Sequence, residues 1–95
     1  MLRLKSSPVS HVFKYRDRMA IIRDILETVK ESKNGRKKTQ IMQSANLNYA
    51  QTKKYLKYLT NCGFLLPTQR QTYTITNKGS RFLQFVELQK IPNLM

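Results

Sequence analysis

Residues 37–63 constrain the fold of this chain more than any other segment, because they carry two helical patterns separated by a turn signal. Apolar residues recur at helical spacing before and after residues 46–48, whose two asparagines are typical of a tight turn. Asn48 is suited to cap the second helix, because its side chain can accept a hydrogen bond from a free backbone N–H. Gly63 is suited to end that helix in the left-handed conformation. The segment therefore predicts a helix-turn-helix.

The second of these helices has an apolar face and a cationic face. Its inward stripe consists of Thr52, Tyr55, Leu56 and Leu59. The opposite side carries Ala50, Lys54, Lys57 and Asn61, with Lys53 on the flank. A helix that packs by one side and presents lysines on the other is suited to the groove of a nucleic-acid duplex.

The charge of the chain favours a polyanionic partner. Lys and Arg number 18 against 5 Asp and Glu, and the resulting net charge of +13 is costly in self-repulsion for a small chain. The acidic residues are Asp17, Asp24, Glu27, Glu31 and Glu87, so residues 32–86 contain none. Single lysines are usually no more than a solvated surface. A basic span of this length without one carboxylate favours nucleic acid.

Other classes of function lack their sequence signals. Cys62 is the single cysteine, and His11, the single histidine, has no cysteine or acid at ligand spacing, so we expect no metal site and no cofactor. No apolar run approaches a membrane span, and residues 1–15 are too polar for a signal peptide. The chain has neither a Gly-rich phosphate loop nor a Cys/His cluster. We therefore expect a cytoplasmic, nucleoid-associated protein that is not an enzyme.

Residues 1–15 are interpreted as a basic N-terminal arm. They show no sustained helical period and carry Arg3, Lys5 and Lys14. Such an arm can lie along a phosphate backbone or enter a minor groove. A disordered leader is the alternative, and the sequence leaves both open.

Residues 16–32 carry the clearest helical pattern. A wide apolar face recurs at helical spacing, Asp17 is placed to cap the start, and residues 34–35 (Asn-Gly) are placed to end the helix. Four of the five acidic residues lie on this helix. We therefore expect its outer face to turn away from a polyanion.

The pattern after residue 63 changes from helix to strand. Residues 64–66 predict a short strand, and residues 72–76 alternate with period two. The polar loop between them, residues 67–71, carries Arg70 near its tip. A β-hairpin directly after a helix-turn-helix is called a wing, and Arg70 is placed to touch a phosphate or the minor groove.

Residues 77–91 predict a C-terminal helix that is more apolar than one packing face requires. Thr76 is suited to cap it and Pro92 follows its end. We expect the surplus face to join two copies of the chain, and the alternative is deep burial within one copy. The predicted interface residues are Phe82, Phe85, Val86 and Leu88. The chain thus divides into an arm (1–15), a core (16–76) and a C-terminal helix (77–91).

Five segments in this order carry a resemblance to a known family. They are IIRDIL (21–26), KKTQIM (37–42), ANLNY (45–49), KKYLKYLTNCGFL (53–65) and YTITNKGSRFL (73–83). Together they resemble the small winged-helix DNA-binding proteins of archaea, both chromatin-associated proteins and predicted transcription regulators. The resemblance implies an α+β, mainly helical winged helix-turn-helix, a homodimer joined through the C-terminal helix, and double-stranded DNA as the ligand. The last helix is shorter than in chromatin-type members and the arm is additional. Both features favour a regulator, such as one of a mobile element or virus, over a bulk chromatin protein.

The expected DNA surface combines the second helix of the motif with its flanking basic residues. The predicted DNA-binding residues are Arg36, Lys37, Lys38, Tyr49, Gln51, Lys53, Lys54, Lys57 and Arg70. Lysine can contact guanine and glutamine can pair with adenine in the major groove. The leading hypothesis is a sequence-selective transcriptional regulator. A low-specificity architectural protein is the alternative, because lysine is a less directional donor than arginine. RNA binding or protein association through the wing is a third class, with less support from the sequence.

Overall fold

A computed structural model describes residues 17–89 of the chain. These residues form four helices and one antiparallel three-stranded sheet, so the predicted α+β, mainly helical fold is confirmed. The helices are α1 (Arg18–Lys30), α2 (Lys38–Ser44), α3 (Tyr49–Asn61) and α4 (Asn77–Gln89). The strands are β1 (Arg36–Lys37), β2 (Leu65–Pro67) and β3 (Thr72–Ile75). The predicted N-terminal arm, residues 1–15, lies outside the described residues.

Side-chain caps fix where three of the helices begin. Asp17 accepts a backbone hydrogen bond of 2.8 Å at the start of α1. Before α3, Asn48 Oδ1 accepts from Gln51 N at 2.8 Å, and Gln51 Oε1 accepts from Asn48 N at 3.1 Å. Thr76 Oγ1 accepts from Gly79 N at 2.9 Å in the first turn of α4. The three predicted caps are confirmed, and each contributes about 1 kcal/mol to stability.

The end of the first helix differs from the prediction. Residues 34–35 do not end α1, which stops at Lys30 with Glu31 as its C-cap. The Asn-Gly pair instead belongs to a turn in which Gly35 has a φ of 92°. A Cβ at Gly35 would lie 2.8 Å from Thr72 Oγ1, so the turn brings the backbone against β3. The glycine signal therefore marks a close approach to the sheet and not a helix end.

The sheet contains a strand that the sequence analysis missed. Its order is β1-β3-β2, with Arg36 opposite Tyr73 and Lys37 opposite Thr72. Strand β1 is 2 residues long, which is too short to show a period-two pattern. Its pairing ties the wing hairpin to the chain that enters α2. The wing is therefore fixed relative to the helix-turn-helix.

One hydrophobic core lies between the helices and the sheet. Its most deeply buried apolar side chains are Ile25, Leu26, Val29, Ile41, Ala45, Leu59 and Leu83. Phe64 stacks on Phe82 beside this core, with ring centroids 4.6 Å apart. Helices α1, α2, α3 and α4 all contribute side chains to this core. The orientation of α3 is therefore set by packing from several sides.

The C-terminal helix uses part of its predicted interface within the chain. Phe82 packs against the core, and Val86 is buried. Phe85 and Leu88 remain 58% and 64% exposed. The apolar surface that α4 leaves available to a second copy is therefore narrower than the four predicted residues suggested.

Candidate nucleic-acid interface

The turn between α2 and α3 and the turn after α3 have the same local geometry. After α2, Asn46 adopts a φ of 57° and Leu47 N donates to Met42 O at 3.0 Å. After α3, Gly63 adopts a φ of 81° and is followed by the equivalent hydrogen bond. Both are Schellman motifs, which need a residue that tolerates the left-handed region. Leu47 also packs against the core, which fixes the direction in which α3 leaves the turn.

The outer face of α3 lies as the sequence predicts. Lys53, Lys54 and Lys57 are exposed, while Leu56 and Leu59 are buried beneath them. Tyr49, the first residue of the helix, is also exposed. The helix therefore presents three cations to solvent, together with the rings of Tyr49 and Tyr58.

Two adjacent clefts separate the helix-turn-helix from the wing. The first, of about 490 Å³, lies between the start of α2 and the hairpin and is lined by Lys37, Lys38, Thr39, Pro67, Arg70, Gln71, Thr72 and Tyr73. The second, of about 330 Å³, lies between α3 and the hairpin and is lined by Lys38, Lys53, Leu56, Lys57, Thr60, Asn61, Pro67 and Tyr73. Three residues, Lys38, Pro67 and Tyr73, line both clefts. We call the combined feature the basic groove.

Within residues 17–89, the positive charge of the basic groove is not neutralised by acidic side chains. Its cations are Lys37, Lys38, Lys53, Lys57 and Arg70. No acidic side chain lines either cleft, and none of the five cations makes an ion pair within residues 17–89. A concave surface lined by one sign of charge concentrates its field and attracts a polyanion.

The tip of the wing is held rigidly. Thr68 N donates to Thr72 O at 2.8 Å, and the two hydroxyl oxygens lie 2.7 Å apart. Gln71 closes the loop with a φ of 64° and donates to Thr68 O at 3.1 Å. This is a three-residue hairpin loop with a type I turn and a left-handed last residue. Arg70 is exposed on the loop, so its side chain extends from an ordered support.

An aromatic contact connects the two helices of the motif. Lys38 Nζ, in the first turn of α2, lies 5.1 Å from the centre of the Tyr49 ring at the start of α3. This is within the range of a cation–π interaction. The contact holds the Tyr49 ring beside Lys38, which lines both clefts of the basic groove.

Two of the predicted DNA-binding residues have partners inside the fold. Arg36 Nε donates to Thr28 O at 3.1 Å, and a guanidinium nitrogen lies 3.7 Å from Glu31. The Gln51 side-chain oxygen is used in the cap with Asn48. A bidentate contact to adenine requires that oxygen, so Gln51 can make it only by giving up the cap. The DNA roles of both residues stay predictions.

The structure adds residues to the surface that sequence reasoning did not name. Thr39 and Thr72 bring hydroxyl groups, and Pro67 and Tyr73 form the wall beneath them. The position of Thr39 directly after two lysines was an available signal. The contributions of Pro67 and Tyr73 depend on the sheet register, which the sequence does not reveal. Lys54 lines neither of these clefts; it is exposed on α3 and lines a separate cleft that α3 forms with the start of α1.

No helix within residues 17–89 is long and apolar enough to cross a membrane. The same residues contain no group of three or more His, Cys, Asp or Glu side chains that could hold a metal ion.

The winged-helix class is defined by a short helix, a tight turn, a second helix and a β-hairpin, and this chain has all four, enclosing a basic groove. Members of the class typically bind DNA and are not enzymes. A family model described as winged helix-turn-helix matches residues 15–94, and the chain belongs to this family. The chain is also similar to an uncharacterized protein of the archaeon Methanocaldococcus jannaschii, with 39% identity over 72 residues. The match covers 76% of this chain and 33% of the relative, so the chain spans about a third of the length of that protein.

Proposed function

We propose that the protein binds double-stranded DNA as a sequence-selective transcriptional regulator. The observation that carries the proposal is the basic groove, in which β1, α2, α3 and the wing contribute five cations that have no acidic partner among residues 17–89. An exposed recognition helix enters the major groove in helix-turn-helix proteins. The wing then faces the neighbouring backbone or minor groove.

The proposed contacts divide into positioning and reading. Lys37, Lys38 and Arg70 border the cleft between α2 and the wing, and we assign them to phosphates. Lys53 and Lys54 lie on the exposed face of α3, and we assign them to base edges, with Lys57 beside them. Lysine can donate to guanine O6 and N7. Tyr49 offers a ring at the start of α3, where it can contact a thymine methyl or a phosphate.

A low-specificity architectural role is the second candidate. The exposed cations of α3 are all lysines, and lysine fixes hydrogen-bond direction less strictly than arginine. Two features support the regulator instead. The Tyr49–Lys38 contact orders the helix start, and the hairpin loop holds Arg70 on a rigid support.

We also propose that the protein is a homodimer joined through α4. Phe85 and Leu88 are large apolar side chains left exposed on one helix. Such surface is expected to be covered by a partner. A second copy related by two-fold symmetry would present two recognition helices to a palindromic site. In the cell we propose that the protein resides on nucleoid DNA.

The test is selection of bound duplexes from a random pool, followed by comparison of the selected site with a scrambled duplex at one salt concentration. A regulator should prefer its selected site by 10³-fold or more, which is the lower end for specific binders (~4 kcal/mol). Lys53→Ala should weaken binding to the selected site by roughly 1–3 kcal/mol and to the scrambled duplex by less. Equal affinity for both duplexes would favour the architectural role. Absence of duplex binding would contradict both.

A further inference from the structure

A separate cleft lies between the start of α1 and the outer side of α3, away from the wing. It has a volume of about 300 Å³ and is lined by Arg18, Met19, Ile22, Lys54, Tyr55 and Tyr58. We call it the aromatic cleft. Its volume is at the lower end of the range for small-molecule sites.

The aromatic cleft has an apolar floor with open apolar walls. Ile22 is buried and Tyr55 packs against the core, so both are fixed by the fold. Met19 and Tyr58 stand on either side with 45% and 54% of their surface exposed. Two tyrosine rings and a methionine sulfur favour an aromatic occupant, since rings stack on tyrosine and thioethers contact ring edges favourably.

The rim of the aromatic cleft is cationic. Arg18 contributes a guanidinium from the first turn of α1, and Lys54 contributes an ammonium from α3. Among residues 17–89, no acidic side chain lines this cleft. The hydrogen bond with Cys62 raises the pKa of Tyr58, and the charge of Arg18 acts in the opposite direction. A ligand that matches this surface needs an aromatic body and one negative charge.

We propose that the aromatic cleft binds a small aromatic carboxylate. The ring lies against Tyr55, Tyr58 and Met19, and the carboxylate accepts charge-assisted hydrogen bonds from Arg18 and Lys54. Neither the ring contacts nor the two charged hydrogen bonds suffice alone for binding, because the cleft is open and solvent competes for both cations.

Occupancy of the aromatic cleft has a consequence for DNA binding, and this consequence rests on the proposed function. Lys54 belongs both to this cleft and to the face of α3 assigned to DNA. A bound carboxylate neutralises Lys54 and places negative charge beside the DNA surface. The two ligands therefore oppose each other, and the coupling is reciprocal.

Direct binding is tested on the full chain by NMR with 2-naphthoate as the probe. We expect saturable shifts of the Met19 methyl and of the Tyr55 and Tyr58 ring signals. Neutral 2-naphthylmethanol tests the need for charge, and inorganic phosphate tests the need for a ring. Both should leave these signals nearly unchanged. Arg18→Gln should weaken naphthoate binding about tenfold, since it removes a charged hydrogen-bond donor. Lys57→Gln, a cation on the same helix outside this cleft, should not change it.

Three results would overturn the site. They are absence of saturable shifts, equal binding of the neutral alcohol, and shifts confined to residues of the basic groove. Concentration-dependent shifts of the same signals without probe would assign the cleft to a second copy and would also contradict the proposal.

The coupling is tested by measuring duplex affinity with saturating naphthoate. Wild-type affinity should fall severalfold, and Arg18→Gln should be far less affected at the same probe concentration. Naphthoate binding without a change in duplex affinity would refute the coupling. A protein that binds naphthoate but no duplex would refute the proposed function and leave the site intact.

Discussion

Lys78, in the first turn of α4, donates a hydrogen bond from Nζ to the carbonyl oxygen of Cys62 at the end of α3, 2.9 Å away. The same ammonium lies 5.6 Å from the centre of the Phe64 ring. Thr76 Oγ1 donates to Gly63 O at 2.6 Å beside it. The start of α4 thus satisfies carbonyl groups at the C-terminal end of α3, where a positive charge is favourable.

Removal of this ammonium should loosen the end of α3. Lys78→Met keeps most of the apolar stem and deletes the donor, and we expect a loss of about 1 kcal/mol in the free energy of unfolding. Urea denaturation measures it, with Lys33→Met, an exposed lysine outside the elements, as the matched control. Lys78→Arg should recover part of the loss. Equal stability of Lys78→Met and the control would show that the contact contributes nothing.

Gly79 should not tolerate a side chain although it lies in a helix. Replacement of glycine by alanine in a helix usually stabilises by about 0.5–1 kcal/mol. Here a Cβ would collide with the carbonyl oxygen of Phe64 and lie 2.9 Å from Ile75 Cγ1. We therefore expect Gly79→Ala to lower the free energy of unfolding by about 1–3 kcal/mol. Ser80→Ala on the same turn is the control, and a stabilised Gly79→Ala would refute the close packing of α4 on the sheet.

The elements that the sequence predicted are those with a local signal. Asn48 and Thr76 marked helix starts through their chemistry, and the apolar stripe of α3 was readable because helical spacing determines which residues share a face. Strand β1 was missed because two residues carry no period. Its pairing depends on β3, far along the chain, and only the fold brings them together.

The sequence predicted the site less completely than the fold, because the rotation of a helix directs neighbouring cations to different sides. Lys53 and Lys54 are neighbours in sequence, yet about 100° of helix rotation directs them to different clefts. Arg36 looked equivalent to Lys37 in the sequence, but its guanidinium reaches back to Thr28 O in α1. Helical spacing could not show which apolar residues of α4 pack inward, since this depends on the helix and strands beneath it.

Association should depend on the exposed apolar side chains of α4. Phe85→Glu places a charge at a position that is 58% exposed, so we expect the fold to persist and the dimer to dissociate. Analytical ultracentrifugation measures the change, and circular dichroism confirms that the variant is folded. Gln84→Glu, which adds the same charge at an exposed neighbour, is the control. A wild-type protein that sediments as a monomer at high micromolar concentration would contradict the proposed dimer.

One carboxyl group should make stability depend on pH. The hydrogen bond with Glu87 raises the pKa of Glu27, with burial and the charge of Glu87 acting in the same direction. Because the pKa of Glu27 is higher in the folded than in the unfolded protein, the protonated carboxyl group stabilises the fold. This stabilisation is fully present below the unfolded-state pKa of about 4.5 and is lost as the pH rises through the folded-state pKa. Glu27→Gln keeps a hydrogen-bond donor toward Glu87 at every pH.

We therefore expect Glu27→Gln to be more stable than wild type at pH 7 and to lose this advantage as the pH falls to the unfolded-state pKa of about 4.5. Urea midpoints at the two pH values measure the difference. Glu31→Gln is the matched control for removal of one acid from α1. A stability difference that is the same at both pH values would show that Glu27 and Glu87 are not coupled.

The central claim is that the basic groove binds duplex DNA, and the salt dependence of duplex affinity tests it most directly. If each protomer neutralises roughly four phosphates, log K should fall against log salt with a slope of about −3.6 per protomer. Arg70→Ala should weaken every duplex similarly and reduce the steepness of that slope by about 0.9, while Lys33→Ala should leave it nearly unchanged. A slope near zero, or equal binding to an acidic protein, would contradict DNA recognition by this groove.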